Sequence, residues 1–202
     1  MDARTGCSAS LQALRHRGFW LVVAVCVVGV GGVFAVYTYV VSTLTVVAGV
    51  PRAWVPAVLA LFGVGMTAGA VLGGRLADRS VRWSIALGMV GLAAVMVALT
   101  VLVRHPASAA VGVLLLGAAS MAPMPSIQAR LLDVAPAAPT LAAAMLHSAT
   151  NTANAVGAWA GGLVLSAGAG YAAIGWVGAA MAVAGLLLSL CMFGHDGSRR
   201  NT

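Results

Sequence analysis

The chain has 202 residues, of which 61% are apolar and 7% charged, with a mean hydropathy of +1.02. Soluble domains carry roughly 25% charged residues, so a water-soluble globule is excluded. The formal charge of +7 does not mark a nucleic-acid binder, which clusters its basic groups on one soluble face; here the arginines stand between apolar segments.

From the N-terminus, 1–18 is polar and reads as a cytoplasmic segment. The apolar run after it is too long for a signal h-region and ends on no cleavage pattern, so the first span is expected to stay in the mature protein. No charged residue lies between Arg17 and Arg52, Arg52 and Arg75, Arg82 and Arg104, or Arg104 and Arg130, and each gap exceeds the roughly 20 residues that cross the hydrocarbon. The stretch from Asp133 to Asp196 is long enough for two crossings, with a turn at Ser166, Ala167, Gly168, Ala169 and Gly170. Six spans follow, at 19–47, 54–74, 83–103, 108–128, 140–165 and 171–193, and 194–202 forms a second cytoplasmic tail.

Backbone amides in hydrocarbon must pair within their own segment, and runs this rich in Ala, Val, Leu and Gly, with weak period-2 alternation, predict helices rather than barrel strands. The fold class is an all-α integral membrane bundle of six helices. With alternating spans, Arg4, Arg15, Arg17, Arg75, Arg79, Arg82, Arg130, Arg199 and Arg200 fall on one side, with Arg52 and Arg104 on the other. The positive-inside rule then places both termini in the cytoplasm. Cys7, Cys26 and Cys191 are odd in number and imply no disulfide framework. No spacing among the cysteines and His16, His105, His147 and His195 matches a metal site.

Small residues recur every four positions at Gly65, Gly69 and Gly73, and again at Ala153, Gly157 and Gly161, giving two helices a flat stripe for close packing. Pro123 and Pro125 are expected to break or bend the fourth span. Between the second and third spans, Gly73-Gly74-Arg75-Leu76-Ala77-Asp78-Arg79-Ser80-Val81-Arg82-Trp83 reads as a short loop, in which Asp78 can accept from arginines or cap a helix. At 100° per residue, His147, Asn151 and Asn154 share one stripe of the fifth span, which would be costly against lipid. Two readings of the asparagines stand side by side: interhelical hydrogen bonds that hold the bundle together, or substrate contact. His147, an ionisable group inside a span, is a candidate proton relay.

The 73–83 segment resembles the major facilitator signature G-x-L-A-D-R-x-G-R-K, matched by Gly74, Leu76, Ala77, Asp78, Arg79 and Arg82; Val81 and Trp83 depart from it. Tyr37-Thr38-Tyr39-Val40 with Leu44 and Ala48-Gly49 resembles the seventh helix of bacterial drug:proton antiporters of the arabinose efflux permease and chloramphenicol-resistance groups, with Ser42 where proline is frequent. Pro125, Gln128, Arg130 and Leu131 resemble the end of the tenth helix, and Ala144, Ser148, Asn151, Asn154, Ala155, Gly157, Trp159, Gly161 and Gly162 the eleventh. The resemblance covers about residues 12–193 and implies the C-terminal half, helices seven to twelve, of a two-half transporter with substrate bound between the halves.

As the resemblance has it, the chain is half of a proton-coupled exporter of drugs or small metabolites in the bacterial inner membrane, working by alternating access. Candidate cavity residues are Tyr37, Tyr39, Met121, Met124, Gln128, His147, Asn151 and Asn154, with Gly74, Asp78, Arg79 and Arg82 as the gating segment. The implied partners are the lipid bilayer, a small-molecule substrate, and a second six-helix half or a second copy. Nucleic acid is not among them, and no cofactor is expected, with the proton as candidate coupling ion. The family generally places its proton-carrying acid in the first half, so transport would need a partner. The alternative is a truncated, non-transporting remnant or a membrane interaction protein. An enzyme is not expected: His147 and Ser148 are adjacent on a helix, point about 100° apart and cannot act as base and nucleophile.

Overall fold

The computed structural model of the chain describes the backbone of residues 14–199 and the side chains of 14–194. Residues 1–13 of the predicted polar segment 1–18 and 200–202 of the predicted tail 194–202 lie outside the described residues, while the backbone of 194–199 continues the last helix. Among the described residues every regular element is helical. We number the helices α1 (Arg17–Thr38), α2 (Val55–Arg79), α3 (Val81–Leu102), α4 (Pro106–Met121), α5 (Met124–Val134), α6 (Pro139–Ser166) and α7 (Ile174–Arg199).

The helix limits follow from local chemistry. Proline stands in the first turns of α2, α4, α5 and α6, where its missing N–H is an orphan in any case. α4 and α5 are two parts of one rod, interrupted at Ala122 and Pro123, as the proline pair requires. α1 is less regular: it holds a π-helical turn at Cys26–Val30, breaks at Tyr39, and continues outward through Val40–Ser42 and a second π turn at Thr43–Val47. Between α2 and α3 the expected loop is absent. Leu76, Ala77 and Arg79, all good helix formers, carry α2 to Arg79. The reversal is made by Ser80 alone, in extended conformation, whose hydroxyl accepts from the Trp83 backbone N–H at 3.4 Å.

Among the described residues, five stretches are long and apolar enough to cross a membrane: Arg17–Thr38, Arg52–Arg79, Val81–Leu102, Pro106–Val134 and Tyr171–Gly194. The chain is thus a multi-pass helical membrane bundle. By that measure the six predicted spans become five, and α6 is the one that falls out. Its 28 residues reach about 42 Å at 1.5 Å per residue, so length is sufficient. Its apolarity is not, because His147, Ser148, Thr150, Asn151, Thr152 and Asn154 occupy its middle.

Packing follows the small residues. Gly65, Gly69 and Gly73 on α2 lie against the backbone of Leu114, Ala118 and Ala122, so close that an added methyl group would strike main-chain atoms. Gly157 on α6 meets the backbone of Gly31 and Ala35 in the same way, and Gly32 on α1 meets Gly178 on α7. Ile85, Met89, Leu92 and Met96 of α3 are fully buried at the centre, joined by Phe19, Leu116 and Ile127. Outside, Trp20 and Trp83 are exposed near the arginine-rich end, Trp54 and Trp176 near the other, the two-belt placement favoured at membrane interfaces.

Candidate substrate-facing surface

α6 has two unlike sides. Ala142, Leu146, Ala149, Ala153, Gly157 and Gly161 are buried, and this side packs largely on α1. On the other side His147, Ser148, Asn151, Thr152 and Asn154 are exposed. Of the threonines here, Thr152 donates its hydroxyl to the Ser148 carbonyl at 2.9 Å, and Thr150 to that of Leu146 at 2.8 Å. The side chains of His147, Asn151 and Asn154 make no hydrogen bond within the described bundle. These asparagines therefore do not hold this bundle together. A bare amide in hydrocarbon costs several kcal/mol by the transfer scales, about 4–8, so the face they occupy has to meet water or protein.

α1 packs chiefly on α6 and α7, and its two tyrosines part ways. Tyr37 stacks on Phe62 of α2, with ring centroids 4.5 Å apart and planes at 30°. Tyr39 turns to α6, where its hydroxyl donates to the Ala158 carbonyl at 3.2 Å and its ring lies on Gly161. Residues two apart on a helix point roughly 200° from each other, so the pair could not line one pocket together. Tyr37 keeps an exposed edge, whereas Tyr39 is committed to helix packing. Met121 and Met124 are half-buried beside the Ala122–Pro123 break, and Gln128 is exposed on α5.

On α2 the exposed residues Val64, Thr67, Ala68, Val71 and Leu72 line an open concavity. Its one hydroxyl, that of Thr67, donates to the Gly63 carbonyl at 3.1 Å, which leaves the wall apolar. The sequence reading did not single out this surface, although its i, i+4, i+7 spacing from Val64 to Ala68 and Val71 was readable. The uncovered sides of the bundle thus include a polar strip on α6 and an apolar strip on α2.

In the signature segment, Gly73 is buried against Ala122, Gly74 is half-buried, and Asp78 and Arg79 are exposed on the last turn of α2. Arg82 is exposed in the first turn of α3, with its guanidinium over the ring of Phe193. Ser84 ties the two helices together by donating to the Gly73 carbonyl at 3.5 Å.

No family model matches the chain. It is 40% identical over 162 residues to the inner membrane transport protein YdhP of Escherichia coli (strain K12), an overlap of 80% of this chain and 42% of that protein. To the uncharacterised MFS-type transporter YfhI of Bacillus subtilis (strain 168) it is 30% identical over 187 residues, covering 93% of this chain and 47% of that one. A chloramphenicol resistance protein of Streptomyces lividans is 34% identical over 138 residues, 68% of this chain and 34% of that protein. The chain spans about half the length, or less, of these curated relatives.

Proposed function

Because this chain belongs to the major facilitator superfamily, we propose that it forms one six-helix half of a transporter, with α6 as its fifth crossing despite its polar middle. In this reading both termini are cytoplasmic in a bacterial inner membrane, the nine-to-two division of arginines setting the orientation. The observation that carries it is the uncovered strip of His147, Asn151 and Asn154 on α6. A second six-helix bundle, facing α6 and α2 across a water-filled cleft, gives these groups the polar surroundings they need. Substrate sits between an amide-bearing wall and an apolar wall, which suits a neutral compound with one hydrogen-bonding side. Rocking of the two bundles exchanges access between the membrane faces, and a proton supplies the coupling through groups of the other half.

The relative named for chloramphenicol resistance makes chloramphenicol the first compound to try. Cells expressing this chain with a first-half bundle from the same genome are expected to accumulate less of it than cells expressing either part alone. Equal accumulation in all three, for chloramphenicol and for a panel of neutral amphiphiles, would contradict transport.

A further inference from the structure

Three helices far apart in sequence meet at the arginine-rich end through one aromatic ring. The guanidinium carbon of Arg82, in the first turn of α3, lies 5.8 Å from the centroid of the Phe193 ring. That of Arg130, on α5, lies 5.5 Å from the same centroid. Both fall within the roughly 6 Å at which the negative face of an aromatic ring attracts a cation. Phe193 is half-buried on α7, and Arg82 is exposed, so water alone could solvate this guanidinium. Its position over the ring is therefore a matter of attraction rather than of confinement.

The consequence reaches beyond the three side chains. Ser80 is the sole residue between α2 and α3, and Ser84 is bonded to the Gly73 carbonyl, so whatever holds Arg82 also holds the end of α2. Arg130 belongs to the rod that is interrupted at Ala122 and Pro123, where the intrahelical ladder alone does not fix the direction of α5. The geometry points to Phe193 as a positioning residue: its ring anchors Arg82 and Arg130 so that the signature segment, α5 and the end of α7 move as one body. The purpose of that rigidity rests on the transport reading, since a rocking half-bundle transmits motion only if its cytoplasmic border does not shear. The anchoring itself does not rest on it.

The test compares wild type, Phe193→Trp and Phe193→Leu, the last keeping apolar bulk without a π face. The chain has no lysine, so trypsin reports on its arginines alone, and cleavage after Arg82 requires the first turn of α3 to open. In nanodiscs, cleavage after Arg82 is expected to be about tenfold faster in Phe193→Leu and no faster in Phe193→Trp. Cleavage after Arg52, at the opposite end, is expected to be unchanged in both. Equal rates after Arg82 in wild type and Phe193→Leu would overturn the anchoring, and so would equal acceleration at Arg52 and Arg82, the mark of a generally loosened bundle. In the paired transport assay, Phe193→Leu is expected to lower kcat several-fold at unchanged KM; an unchanged kcat would overturn the coupling of this anchor to transport. Absence of transport by the unaltered pair counts against the transport reading alone and leaves the proteolysis result standing.

Discussion

Gly69→Val is expected to prevent assembly of the bundle, while Gly63→Ala, six residues earlier on the same helix, is expected to leave it intact. A Cβ at Gly69 would run into the carbonyl of Ala118, whereas one at Gly63 has nothing within 4 Å. Overfilling a packed interior usually costs about 1–3 kcal/mol because side chains can move aside. Here the obstacle is backbone, repeated at Gly65 and Gly73 on the same helix pair, so α2 and α4 must separate along their length. A loss of at least about 3 kcal/mol follows, a large part of the 5–15 kcal/mol typical of a folded domain. Size-exclusion chromatography in mild detergent reads the outcome: aggregated or absent Gly69→Val beside monodisperse Gly63→Ala. Monodisperse Gly69→Val with an unchanged melting temperature would show that the two helices do not pack this closely.

The second large effect concerns activity without stability. Asn151→Leu combined with Asn154→Leu removes two exposed amides that bond to nothing in this bundle, so its Tm is expected to stay within the range of a change of about 0.5 kcal/mol. Transport by the complete transporter is expected to fall more than tenfold, because two hydrogen-bonding groups on the cleft wall are replaced by apolar branches, and a single good hydrogen bond accounts for about 0.5–1.5 kcal/mol. A drop in Tm at preserved transport would return the asparagines to a role in holding helices together.

Much of the packing was legible in the sequence because close helix contact needs small residues at fixed spacing. The Gly65, Gly69 and Gly73 stripe and the Ala153, Gly157 and Gly161 stripe both lie in interhelical contacts. The break after α4 was legible for an equally local reason, the two prolines. What escaped depended on longer-range or subtler terms. The π turns and the Tyr39 break of α1 carry no proline, and valine-rich sequence gives no sign of them. Ser80 as a one-residue reversal was hidden because the signature looks like a loop in a one-dimensional reading, although its Leu, Ala and Arg are helix formers. Phe193 gave no signal at all, since its meaning lies in arginines on two other helices.

The candidate site was partly legible. Period-3.6 geometry placed His147, Asn151 and Asn154 on one stripe, and that stripe is exposed. It could not say which way the tyrosines would turn, and Tyr39 went to a helix contact. The apolar strip on α2 has no distinguishing mark in the sequence, because valine and leucine are the ordinary lipid-facing residues of a membrane helix and only their neighbours distinguish a cleft wall.

The most direct measurement is the water accessibility of residue 151 in membranes holding the complete transporter. A single cysteine is placed there as Asn151→Cys, in a chain whose Cys7, Cys26 and Cys191 have been replaced by alanine. A maleimide reacts with the thiolate, which forms in water and not in hydrocarbon. The account predicts modification by a charged, membrane-impermeant maleimide, slowed by bound substrate. Modification only by a lipid-soluble reagent, with the charged one inert, would place the α6 strip against lipid and contradict the account.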